Sequence, residues 1–185
     1  MPLPHFTNIE SAHQIWEPVY NNLFEVVVIL PPAIAGLHGN AQTLLLENIK
    51  KASFPTYPVI EHAEQFFKFS SRRFLKMPTT TSTELKLELN INVNDNFQAF
   101  TWRIMKDWYD LVWNNEDGSL HYKNNIISDI TVHAHDKEGH VIRRVTYFNC
   151  QIKSIAGWEE IDWSSQEIQS LNVEFIADYW TDLYY

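Results

Sequence analysis

Residues 155–180 read IAGWEEIDWSSQEIQSLNVEFIADYW, and the second half of this stretch decides the fold. From 171 to 180 the chain alternates with strand periodicity. Leu171, Val173, Phe175, Ala177 and Tyr179 fall on one face, and Asn172, Glu174, Ile176, Asp178 and Trp180 on the other. The preceding Asp162-Trp163-Ser164-Ser165-Gln166 has the polar, turn-favouring character of a loop that returns the chain for another pass. Such a strand lays an oily face on a core and turns an acidic face to water or a wet interior.

Working outward, residues 84–93 (ELKLELNINV) repeat the pattern most cleanly. Leu85, Leu87, Leu89, Ile91 and Val93 point one way, and Glu84, Lys86, Glu88, Asn90 and Asn92 the other. Lys86 is expected to be neutralised by Glu84 or Glu88 on its own strand face. Asn94, Asp95 and Asn96 then supply candidate helix caps. In residues 97–113 the period becomes helical, with Phe97, Phe100, Ile104, Trp108, Leu111 and Val112 in one stripe that can cover a sheet. Trp102, Tyr109 and Trp113 form a second aromatic edge. It either marks an outer interface or folds over the loop at 114–123.

Residues 22–30 (NLFEVVVIL) read as a buried strand stopped by Pro31-Pro32, and 33–40 as a loop hinged at Gly36 and Gly39. Residues 42–52 fit a short helix or a strand equally, and 54–58 (FPTYP) form a rigid corner. Residues 126–135 and 141–155 are strands joined by the Asp136-Lys137-Glu138-Gly139 turn. Residues 1–21 read as an extended aromatic arm. The fold class expected is mainly β with one α-helix, an antiparallel sandwich or partly closed barrel in a single domain spanning 1–185.

Residues 64–77 (EQFFKFSSRRFLKM) read as a hairpin arm. Phe66, Phe67, Phe69, Phe74 and Leu75 are interleaved with Lys68, Arg72, Arg73 and Lys76 around a polar tip. It either tucks onto the core or inserts into a neighbouring subunit. No base follows Lys153, whereas seven acids do, so the chain has a basic segment and an acidic end within a net charge of −9. That balance argues against nucleic acid as an affinity partner.

Chemistry-bearing patterns are sparse. One cysteine, Cys150, excludes an internal disulfide framework and reads as a small buried hydrophobe. The start is neither basic nor apolar enough for a signal peptide, and no apolar run approaches the ~20 residues of a membrane span, so no membrane partner is expected. Ser164-Ser165 lacks a nucleophile elbow, Glu159-Glu160 splay apart if extended, and phosphate and dinucleotide loops are missing. His133 and His135 share a strand face, with His140 past the turn, and alternating histidines can hold a metal. No third ligand stands at a fixed spacing from them. The expectation is therefore no catalysis, no cofactor and no metal, with a small β-barrel metalloenzyme as the rival.

The order of these elements resembles the tail tube protein of contractile-tailed bacteriophages, from about residue 22 to residue 180. NLFEV resembles that family's first strand, KKASFPTYPV its proline corner, ELKLELNINVND the strand after the long hairpin, and FQAFTWRIMKDWYDLVW its helix. GWEEIDWSSQEIQSLNVEFIADYW is the most specific phrase. The resemblance implies a hexameric ring with a continuous barrel around a channel, in rings stacked inside a sheath. Related tubes occur in type VI secretion and in phage-tail-like bacteriocins. The implied partners are further copies of the chain, the tail sheath protein, and the baseplate and tail-terminator proteins. DNA passes through without specific binding, and the protein sits in the virion after synthesis in the host cytoplasm. A tube-initiating baseplate subunit is the structural alternative. On this reading Glu84, Glu88, Asn90, Asn92, Asn172, Glu174 and Asp178 face the lumen. The 66–76 arm makes the contacts between subunits and between rings.

Overall fold

A computed structural model describes Tyr20 and residues 22–67, 70–76, 82–92, 100–157 and 168–185. Residues 1–19, the hairpin tip with Lys68 and Phe69, Phe97 and the cap candidates Asn94, Asp95 and Asn96 lie outside the described residues. So does the loop carrying Glu159, Glu160, Ser164 and Ser165.

The organising element is β7 (Val141–Gly157), long enough to serve two sheets in turn. Its first half lies between β6 (Ser128–His135) and β9 (Tyr179–Tyr184), and its second half pairs with β8 (Ser170–Ile176). Beyond β6 lies β1 (Phe24–Val28), and beyond β8 lie β5 (Glu84–Asn90) and then β2 (Ile49–Ala52). Every pairing is antiparallel.

The hand-over within β7 is a bulge. Inward residues are Val145 and Tyr147 before it, then Cys150 and Ile152 after it, so the parity shifts by one. Asn149 supplies the extra residue at φ 55°, a left-handed conformation that asparagine tolerates better than most side chains. The Asp129 carboxylate accepts its backbone N–H at 3.0 Å. This bend turns both half-sheets toward one interior.

That interior is filled by the predicted alternation. Leu85, Leu87 and Leu89 of β5 and Leu171, Val173 and Phe175 of β8 are all buried. Val26 and Val28 of β1 and Ile130 and Val132 of β6 meet them from the other half. Each such side chain contributes roughly 1.5–3 kcal/mol of burial. The lid is the helix Phe100–Val112, which buries Ile104, Met105 and Trp108. The Trp108 ring lies 5.2 Å from that of Phe175, and its indole N–H donates to the Ile126 carbonyl at 2.9 Å.

Several expectations change. Pro32–Leu37 is a helix, α1, where a loop was expected, because a proline in the first turn costs a helix nothing. The ambiguous 42–52 stretch splits into α2 (Ala41–Asn48) and β2. With the lid as α3 and a short α4 (Lys123–Ile126), the described residues hold four helices where one was expected. His38, just past α1, bonds Asp107 of α3 through Nε2 at 2.7 Å and so ties α1 to the lid. The strand expected over 171–180 is two strands, broken at Ala177 and Asp178. Tyr179 is consequently exposed and stacks on Phe148, with ring centroids 4.7 Å apart.

Two expectations hold. Cys150 is fully buried, and burial pushes its thiol up to about 12. The Asp136–Gly139 turn closes the β6–β7 hairpin, with Gly139 at φ +87° and Asp136 accepting the backbone N–H groups of Glu138 and His140. Among the described residues no helix is long and apolar enough to cross a membrane.

Candidate functional site

The outer face of the β5–β8 ladder gathers most of the polar residues singled out above. The register sets Glu84 opposite Ile176, Lys86 opposite Glu174, Glu88 opposite Asn172 and Asn90 opposite Ser170. This face is not the acidic surface that the two strand sequences imply. Lysines on other strands answer each carboxylate: Lys153 of β7 bonds Glu84 at 2.6 Å, and Lys50 of β2 bonds Glu88 at 3.0 Å. Lys86 is neutralised across the ladder by Glu174 at 2.6 Å and not by its own-strand neighbours, since directly opposed residues approach more closely than i±2 ones. Three glutamates thus meet three lysines. The Glu174 carboxyl is held below its usual range chiefly by the hydrogen bond from Lys86, and the Lys153 ammonium is raised chiefly by its bond to Glu84.

Two of the seven residues leave this face. β5 ends at Asn90, and the Asn92 amide donates instead to Asn48 Oδ1, in a network with Thr101 that pins α2 and α3 to the strand end. Asp178 sits beyond the break after β8. Its carboxylate accepts from Lys123 Nζ at 2.6 Å and Asn149 Nδ2 at 2.9 Å, which anchors the β7 bulge. These bonds, the Lys123 one foremost, hold its carboxyl below the ordinary range.

The hairpin arm forms as expected. β3 (His62–Phe67) and β4 (Ser70–Leu75) make a two-stranded sheet that joins no other strand among the described residues. Phe66 is 78% exposed, Phe74 49% and Leu75 71%. Phe67 pairs with Ser70 in the register. Arg73 and Lys76 find Glu64 and Glu61 at 3.7 and 3.5 Å within the arm, and Arg72 stands opposite Gln65. An isolated hairpin with both faces in water is marginally stable at best.

The second helix edge is narrower than its spacing predicts. Trp102 and Tyr109 are half-buried against the core. Trp113 turns onto the following loop, where its indole donates to Asn115 Oδ1 at 2.8 Å. Sequence reasoning missed two groupings. Arg143 pairs with the Asp182 carboxylate at 2.7 Å, and Tyr57 from the proline corner also donates to it. That bond to Asp182 is the main cause raising the Tyr57 phenol to about 12. The other grouping is Glu25, His133 and His135, where β1 brings a carboxylate to the two histidines.

Mainly antiparallel, with a lid helix and a free hairpin, this is the fold of tube and cap subunits of contractile injection systems. The chain is similar to one from the tube-terminating cap of the anti-feeding prophage, with a TM-score of 0.57 at 14% identity over 92% of this chain and 93% of that one. It is similar to a chain of the sheath–tube complex of an extracellular contractile injection system in its extended state, with a TM-score of 0.57 at 13% identity over 99% and 100%. A chain from the six-fold symmetrised baseplate of the anti-feeding prophage gives a TM-score of 0.54 at 9% identity over 91% and 97%. No protein-family model matches the sequence, and no curated protein matches it.

Proposed function

We propose that this chain is a structural subunit of the tube of a contractile, phage-tail-like particle, with a mechanical role and no catalytic one. The observation that carries this reading is the β3–β4 hairpin, a strand pair whose exposed Phe66 and Phe74 and open edges have no partner sheet within the described chain, on a fold shared with tube and cap subunits. Six copies form a ring when each hairpin lies on its neighbour, and rings stack head to tail within a sheath. An interface that repeats without closing suits such a filament. The exposed edges of β1, β2 and β9 are natural joints for a barrel continued between subunits, because an unpaired edge is otherwise a liability.

On this reading the β5–β8 face lines the conduit. Its charges are paired one to one, so it offers a passing polymer of either sign little net field to hold on to. DNA is the cargo that the resemblance to phage tails implies. Sheath, baseplate and terminator proteins are the further partners. A second reading, a ring at one end of the tube, draws on the comparable likeness to cap and baseplate chains.

Negative-stain microscopy of the purified chain tests both. Stacked tubes are expected for the repeating subunit, and single rings that do not stack for an end piece. Replacing Phe66 and Phe74 by serine should leave a folded, soluble monomer. Unchanged rings in that variant would remove the hairpin from the subunit contact, and a chain that stays monomeric at every concentration would sink the reading.

A further inference from the structure

The strands β1 and β6 bring together three ligand atoms that the proposed conduit does not use. Glu25 stands opposite His133 in the register, and His135 lies two residues along the same face. Glu25 Oε2 is 3.4 Å from His133 Nδ1 and 3.7 Å from His135 Nε2, and all three ligand atoms lie within 4.8 Å of one another. The first separation is long for a hydrogen bond and the second is too long to be one. The carboxylate thus sits between two imidazole nitrogens, with one long hydrogen bond to His133 and none to His135.

The two carboxylate–imidazole separations are close to those of a coordination shell. Ligands about 2.0–2.1 Å from a tetrahedral ion stand roughly 3.3 Å from one another. The arrangement is also supported from behind. His135 Nδ1 faces the Gly139 carbonyl at 3.2 Å, an acceptor that fixes the proton on Nδ1 and leaves the Nε2 lone pair aimed at the cluster. Both histidine side chains are largely buried, at 16% and 20% exposure, so their rings are held by packing.

We propose that Glu25, His133 and His135 form a site for a divalent transition-metal ion of the zinc, cobalt or nickel type, with a fourth position left to water. Two imidazoles and one carboxylate suit such ions, whereas the hard calcium and magnesium ions seek oxygen. Arg144 stands opposite His133 on the next strand, its guanidinium over the Tyr185 ring at 5.3 Å. That positive charge also disfavours ions held by charge alone. The bound ion would clip β1, at one end of the sheet, onto β6. The site belongs to the isolated chain and does not depend on assembly into a tube.

The test uses the purified full chain, stripped with a chelator and titrated with zinc alone by calorimetry and with cobalt alone by visible absorption. One equivalent per chain, a tetrahedral cobalt spectrum and a zinc-dependent rise in thermal midpoint are expected. Glu25→Gln, His133→Gln and His135→Gln should each weaken binding about tenfold or more. His140→Ala, which removes an exposed histidine of the adjacent turn, should leave it unchanged. No uptake by the unaltered chain up to about 1 mM metal, a concentration worth only about 4 kcal/mol of binding, overturns the proposal whatever the variants do. Uptake that survives Glu25→Gln and His133→Gln overturns it too, since the ion then sits elsewhere.

Discussion

Strands β5 and β4 have similar length and opposite fates. In β5 every second residue is a leucine, fully or almost fully buried, and every charge between them finds a partner on another strand. In β4, SSRRFL places Phe74 and Leu75 side by side, so one of them must face outward whichever way the strand turns, and both are exposed. Alternation is the mark of a strand completed by its own chain. Aromatic density without alternation marks one that the described chain leaves uncovered.

The contrast breaks or sharpens most visibly at the core. Trp108→Ala removes the lid's anchor on Phe175 and should cost about 3–5 kcal/mol in urea unfolding. Phe66→Ser, in the same assay, should change stability by less than about 0.5 kcal/mol. A large loss at Phe66 would mean that the hairpin belongs to the fold and not to a contact.

Asp182 gives an intermediate effect, because it is a charge completed within the chain. Its side chain is only 4% exposed. Burial pushes its carboxyl up, but the bonds from Arg143 and Tyr57 outweigh that and hold it below the usual range. A depressed carboxyl contributes stability that is present above the unfolded-state value, near pH 4, and is lost as pH falls through the folded-state value. Asp182→Asn should therefore cost about 1–3 kcal/mol at neutral pH and flatten the loss of stability below about pH 4. An unchanged acid profile would show that the pair carries no such stability.

The smallest effect is expected on the β5–β8 face. Lys153→Ala removes the bond to Glu84 between half-exposed groups and should change stability in urea unfolding only slightly, less still in high salt. A larger cost would show that the charge ladder holds the sheet together and does more than cover it.

The alternation of β5, the first half of the 171–180 stretch and the buried stripe of the lid were legible because each is a local pattern with one period. What escaped notice depends on partners remote in sequence. Glu25 reaches His133 across 108 positions, and Lys50 reaches Glu88 across 38, so no spacing within one strand reveals either. The neutral character of the ladder was lost for the same reason: its lysines come from β2 and β7. The break at Ala177 and Asp178 was hidden because the residues on either side continue the alternation. Only the pairing of β9 with β7 shows that the strand has changed partner. α1 escaped because two prolines and a glycine in its neighbourhood read as a loop, although only helix interiors exclude proline.

The long β7, with its bulge at Asn149, also governs the order in which the chain can be finished. β1, made first, meets its only described partner strand when β6 appears, as Phe24 pairs with Ala134. β5 can pair at once with β2 but gains its second neighbour only when β8 supplies Leu171 to Phe175. The β1–β6 and β5–β8 pairings are therefore distant in sequence, and such topologies close slowly. During synthesis the residues of β3 and β4, which pair only with each other among the described strands, emerge well before β6 to β9. The growing chain thus carries the exposed Phe66 and Phe74 before it has a core, and its production in the cell should depend on being kept from other copies until β8 and β9 emerge.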